Sequence, residues 1–108
     1  MTKFTIVSTP EFKSMLSETI NYYSEFSYSF SYDILREFEE GCKVISYFPY
    51  IVPKFKENEN VRKFIIKNRF IVIYKVEGNE VRMLYFIDGR MQNNNLEVNE
   101  LVELIYQI

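Results

Sequence analysis

Hydrophobic residues change their spacing twice along the chain, and the changes divide it into elements. Lys3 to Ser8 alternates, with Phe4, Ile6 and Ser8 on one side and Thr5 and Val7 on the other, which predicts a short strand. Thr9-Pro10-Glu11 then carries the marks of a helix start: a hydroxyl cap, a proline at the first helical position, and an acid at the positive end of the helix dipole. From about Pro10 to about Phe26, Phe12, Met15, Leu16, Thr19, Ile20 and Tyr23 recur every three or four residues, with Lys13, Glu18, Asn21 and Glu25 off that stripe. Ser27 to Ser31 reads as a connection, with Ser31 as the next cap. A second helix is predicted from about Tyr32 to about Phe48, its stripe formed by Ile34, Leu35, Phe38, Cys42, Ile45 and Phe48, and Pro49 ends it. Gly41 inside that helix predicts a close approach to the first helix.

Residues 49–60 (PYIVPKFKENEN) break regular pairing through Pro49, Pro53 and a polar run. After them the period becomes two. Val61–Ile66, Phe70–Val76 and Val81–Ile87 predict three strands, joined at Lys67-Asn68-Arg69 and at Glu77-Gly78-Asn79-Glu80. Phe70 to Tyr74 is apolar at every position, which predicts a strand covered on both faces. Leu96, Leu101, Leu104, Ile105 and Ile108 predict a short tail helix capped by Asn99, or an edge strand. The order is strand, helix, helix, three-strand meander and tail. It predicts a single α+β domain over residues 1–108, with a two-helix hairpin packed on one face of a mostly antiparallel sheet.

Composition sharpens this picture. With 47% hydrophobic and 18% aromatic residues in 108, the chain can bury enough apolar surface to order itself. A lone cysteine excludes an internal disulfide, no signal segment is visible, and the longest apolar run is too short for a bilayer, so the cytoplasm is the expected compartment and no membrane partner is expected. The absence of histidine removes the commonest general base and metal ligand, so neither metal nor cofactor is expected. Cys42 lies on the apolar stripe and reads as a small core residue.

The net charge of −2 argues against general nucleic-acid binding, but the charge is uneven. Residues 54–90 carry Lys54, Lys56, Arg62, Lys63, Lys67, Arg69, Lys75, Arg82 and Arg90 against Glu57, Glu59, Glu77, Glu80 and Asp88, whereas acids outnumber bases on both sides. Only the middle segment could present a basic face. Arg62, Lys63, Lys67 and Arg69 have two readings: a target-binding face, or charges that solvate a sheet edge and deter edge pairing. Tyr74 reads as a core aromatic.

The element order, the Phe48-Pro49 helix end, and residues 61–92 with Arg62-Lys63, Phe70 and Tyr74, Gly78, and Gly89-Arg90 resemble the RelE/ParE superfamily of bacterial toxins over nearly the whole chain. The resemblance implies the toxin component of a type II toxin–antitoxin module, such as those that stabilise plasmids, neutralised by a cognate antitoxin. It also implies one of two mechanisms. RelE-like members cut mRNA on the ribosome with basic groups placed around the scissile phosphate; Arg62 and Arg90 match two such places and are the candidate catalytic residues. Ile71, Asp88 and the region near Leu96 stand where the family's remaining groups would be. That pattern favours a ParE-like, non-cleaving member that binds DNA gyrase, with mRNA cleavage as the alternative and a non-toxic interaction domain as a third reading. Tyr47, Tyr50 and Phe55 are the candidate antitoxin contacts, together with part of the Tyr and Phe cluster at 22–32 that reads first as core and hairpin packing, since exposed aromatics mark interfaces. A homodimer is a further expectation from the edge strand and aromatic surface.

Overall fold

The computed structural model describes residues 2–55 and 57–89. Strand β1 (Thr5–Ser8) leads into helix α1 (Pro10–Ser24), which turns into α2 (Tyr28–Tyr47). Then come β2 (Lys54–Phe55), β3 (Asn58–Ile66), β4 (Phe70–Glu77) and β5 (Glu80–Asp88). The five strands form one sheet in the order β1-β5-β4-β3-β2. Strands β2 to β5 pair antiparallel, and β1 joins the opposite edge parallel to β5. The fold is thus the α+β arrangement that the periodicity predicts. The predicted tail helix, and Arg90 before it, lie outside the described residues.

The start of α1 matches its sequence signals. Thr9 Oγ1 accepts from the Phe12 amide at 3.1 Å, and Pro10 occupies the first helical position. Thr9 also ties the helix to the sheet, because its amide donates to the Met83 carbonyl at 3.1 Å. At that point the β4–β5 register slips: Ile73 pairs with Tyr85 and Tyr74 with Met83, leaving Leu84 as the extra residue of a bulge.

The second helix begins four residues earlier than predicted. Its cap is Ser27, whose hydroxyl accepts from the Phe30 amide at 3.2 Å. Ser31 is a buried helix residue whose Oγ receives a hydrogen bond from Ser24 across the hairpin at 3.0 Å and donates to the Tyr28 carbonyl. Gly41 approaches the sheet rather than α1: a Cβ there would lie 2.7 Å from the Phe64 ring of β3. The 49–60 segment is more regular than predicted, because β2 and the first residues of β3 fall within it.

Alternation along β3, β4 and β5 sorts the core into two faces. Ile66, Phe70, Val72, Tyr74, Val76, Val81, Met83 and Phe86 face the helices and pack with Phe12, Tyr23, Ile34 and Ile45. Val61, Ile73 and Ile87 form a smaller cluster on the opposite face, with Phe55, Ile71 and Tyr85 against it. Phe70 to Tyr74 therefore does supply buried residues to both faces. Cys42 packs against the larger cluster, where burial pushes its thiol up to about 12; a thiol so protonated is a poor nucleophile.

The two hairpin turns differ. Gly78 has φ +59 in the two-residue β4–β5 loop, a position glycine fills without strain. Lys67 and Asn68 both have φ 55, and the Arg69 amide donates to the Ile66 carbonyl at 3.1 Å, the geometry of a type I′ turn. For lysine this conformation costs about 1 kcal/mol.

Candidate functional site

The structure places aromatic surface at both ends of α2, each end beside one arginine. At the N-terminal end the α1–α2 connection meets the Lys67–Arg69 turn. The Arg69 guanidinium lies against three rings, with centroid distances of 4.7 Å to Tyr23, 5.4 Å to Phe30 and 5.3 Å to Phe70. Its Nη2 donates to the Tyr23 hydroxyl, and that hydroxyl donates to Asp88 Oδ2. Arg69 Nε stands 3.6 Å from Asp88 Oδ1, and the Asp88 side chain is 6% exposed. Burial, then the hydrogen bond to Asp88, raises the Tyr23 pKa above its ordinary value. The register brings these groups together, since Phe70 pairs with Asp88 and the Gly89 amide donates to the Arg69 carbonyl at 2.8 Å. Gly89 is required there, because a Cβ would sit 2.6 Å from that carbonyl oxygen. Above the triad opens a recess of about 660 Å³ walled by Tyr22, Tyr23, Phe26, Ser27 and Phe30, with Arg69 and Asp88 also lining it.

Next to it, Lys67 Nζ lies 3.0 Å from Glu37 and 3.6 Å from Asp33 of α2, and 5.6 Å from the Phe30 ring centroid. The bond to Glu37 raises the lysine pKa. These contacts dock the strained turn onto the helix.

At the other end of α2, Phe4, Tyr47, Phe48, Pro49, Tyr50 and Ile51 surround an apolar recess of about 500 Å³. Tyr47, Phe48, Tyr50 and Ile51 are exposed. Lys3 lies over Tyr47 at 5.9 Å and Arg62 over Tyr50 at 5.1 Å. Arg62 fastens this loop: Nε donates to the Glu59 carbonyl at 2.9 Å and Nη1 to the Val52 carbonyl at 3.0 Å. Tyr74, fully buried beneath, donates to the Pro49 carbonyl at 2.6 Å, and burial raises its pKa.

The sequence candidates are therefore distributed rather than gathered. Tyr47 and Tyr50 share the α2 C-terminal recess, but Phe55 packs on the opposite face with Val61, Ile73 and Ile87. Arg62 shares the helix-facing side of β3 with Phe64 and Ile66, Lys63 falls on the opposite side, and Lys67 and Arg69 meet carboxylates at the far end of the strand. The four bases do not form one face. Arg90 lies outside the described residues. Among those described, no group of His, Cys, Asp and Glu could hold a metal ion, and no helix is long and apolar enough to cross a membrane. Tyr23 and Asp88 are site residues that sequence reasoning missed; the β4–β5 register was the one signal that could have linked Asp88 to Arg69.

The fold is similar to that of a chain in the chromosomal ParDE TA system from P. aeruginosa, with a TM-score of 0.66 and 14% sequence identity, covering 82% of this chain and 98% of that one. No protein-family model matches the sequence, and no curated protein is significantly similar to it. The class defined is one of fold: this chain shares the α+β architecture of that chain, with a helical hairpin on a five-stranded sheet.

Proposed function

We propose that this protein is the toxin of a toxin–antitoxin module that acts by binding a protein target, a DNA topoisomerase of the gyrase type, rather than by cutting RNA. The observation that carries this reading is how the bases are used. Arg62 donates to two main-chain carbonyls, Lys67 is held by Asp33 and Glu37, and Arg69 by Asp88. Bases already committed within the chain contribute little to the counterion release that drives binding to phosphate backbones. An RNA-cleaving site also needs charge aimed at the scissile phosphate, and Arg62 is turned into its own loop. Lys63, on the opposite sheet face, remains the candidate for target contact. The likeness to the ParDE chain supports a toxin–antitoxin role, and the antitoxin is proposed to dock on the recess of Tyr47 and Tyr50, with Phe48 and Ile51 beside them.

The test is biochemical. Purified protein is added to a DNA gyrase supercoiling assay and, separately, to a translating extract with a defined mRNA. The expected result is loss of supercoiling with the mRNA left intact. Cleavage of the mRNA that disappears in Arg62→Ala would replace this reading with the endoribonuclease one.

A further inference from the structure

The sheet is apolar on both faces, and α1 and α2 lie on one of them. On the other, Val61 of β3, Ile73 of β4 and Ile87 of β5 are 0%, 2% and 9% exposed, with Phe55, Ile71 and Tyr85 beside them. Neighbouring strands shield the flanks of a side chain that stands up from a sheet, but not its tip. Among the described residues, the apolar side chains that reach this cluster from outside β3 to β5 are Phe55 and Met15. Phe55 belongs to β2, beyond β3, and Met15 to α1, which packs along β5. Ile73 stands on the middle strand between them and is buried all the same. A strand apolar to both sides marks a sheet with a layer on each face, and an apolar face is covered by such a layer or by a partner.

The chain carries one segment of matching make-up. Residues 96–108 lie outside the described residues, and their sequence sets Leu101, Leu104, Ile105 and Ile108 at spacings of three and four behind Asn99 as a cap. The other residues outside the described set, Met1, Lys56 and 90–95 (RMQNNN), have no apolar stripe. A helix from Asn99 to Ile108 would be about 15 Å long. The cluster spans three adjacent strands, about 10 Å from β3 to β5. Between Asp88, where β5 ends, and Leu96 stand residues enough to reach about 24 Å. Length, reach and pattern all fit.

We propose that residues 96–108 fold back as an amphipathic helix over β4 and cover Val61, Ile73 and Ile87 with Leu101, Leu104 and Ile105. The sheet is then held between the α1–α2 hairpin and a layer from its own chain. Ile65, on the same face nearer the Lys67–Arg69 turn, is 54% exposed and marks the limit of the cover. The centre of this face is therefore closed to partners, and only its β3 margin, with Lys63 and Ile65, is left for contact. The inference does not depend on the chain being a toxin.

The test is NMR on the full chain with labelled isoleucine and leucine methyls. Nuclear Overhauser contacts are expected from the Ile73 and Ile87 methyls to those of Leu101, Leu104 and Ile105, within one chain. In Leu104→Asp the Ile73 and Ile87 methyl signals should shift. Those of Ile34 and Ile45, buried on the helix side, should keep their positions and so report an intact fold. The proposal is overturned if the wild-type chain shows no such contacts, or if Leu104→Asp leaves Ile73 and Ile87 unmoved. Contacts that arise only between chains, in a mixture of labelled and unlabelled protein, would also overturn it and make a second copy the cover.

Discussion

The two ends of α2 are built from the same materials and held in different ways. Each has exposed tyrosine and phenylalanine, a recess, and an arginine against a ring. At the N-terminal end Arg69 is locked by another charge, in a triad whose carboxylate is almost wholly buried. At the C-terminal end Arg62 is locked by the main-chain carbonyls of Glu59 and Val52 instead of by a buried carboxylate among the described residues. The difference teaches what each arginine is for. A carbonyl-bound arginine fixes the path of a loop and can be lost at the cost of its hydrogen bonds. A charge-paired one leaves a buried carboxylate stranded when it is removed.

Substitutions should separate the two ends in order of size. The largest effect is expected from Asp88→Ala, which strands Arg69 among three rings: unfolding free energy in urea should fall by about 3–5 kcal/mol. Arg62→Ala should cost about 2 kcal/mol, the value of hydrogen bonds from a charged donor, with increased protease cutting confined to residues 49–55. Equal costs at the two sites would erase the distinction. Tyr74→Phe removes the bond to the Pro49 carbonyl and should cost about 1 kcal/mol at neutral pH.

The same tyrosine predicts a pH dependence. Burial raises the Tyr74 pKa above its ordinary value of 10.0, and burial with Asp88 does the same to Tyr23. A folded pKa above the unfolded one contributes stability that is complete below the unfolded value and is lost as pH rises beyond it. Stability should therefore fall above pH 10, and Tyr74→Phe should flatten part of that fall. The smallest effect belongs to the turn docked on α2: Asn68→Gly should stabilise by about 0.5–1 kcal/mol, because glycine adopts φ 55 without strain.

Strands β3 to β5, both turns and the start of α1 were legible in the sequence because their signals are local: alternation, Gly78, and the Thr9-Pro10 pair. The start of α2 was not, because Ser27, Ser29 and Ser31 offer three hydroxyls in alternation. The choice is made by the bond between Ser24 and Ser31 across the hairpin. Strand β2 has two residues, too few to show a period. Gly41 announced a close approach without naming its partner, Phe64. Among candidate site residues, Tyr47 and Tyr50 were found together because they are close in sequence. Arg69, Tyr23 and Asp88 meet only through tertiary packing, which is why the bases looked like one face until their carboxylates were placed.

The central claim is that the protein binds a protein target and leaves RNA intact. Induced expression of the wild-type chain in a bacterial host, with growth, cell shape and total mRNA followed together, tests it most directly. The account predicts growth arrest with filamentous cells and stable mRNA. Arrest with rapid loss of mRNA, or unhindered growth at full expression, would contradict it.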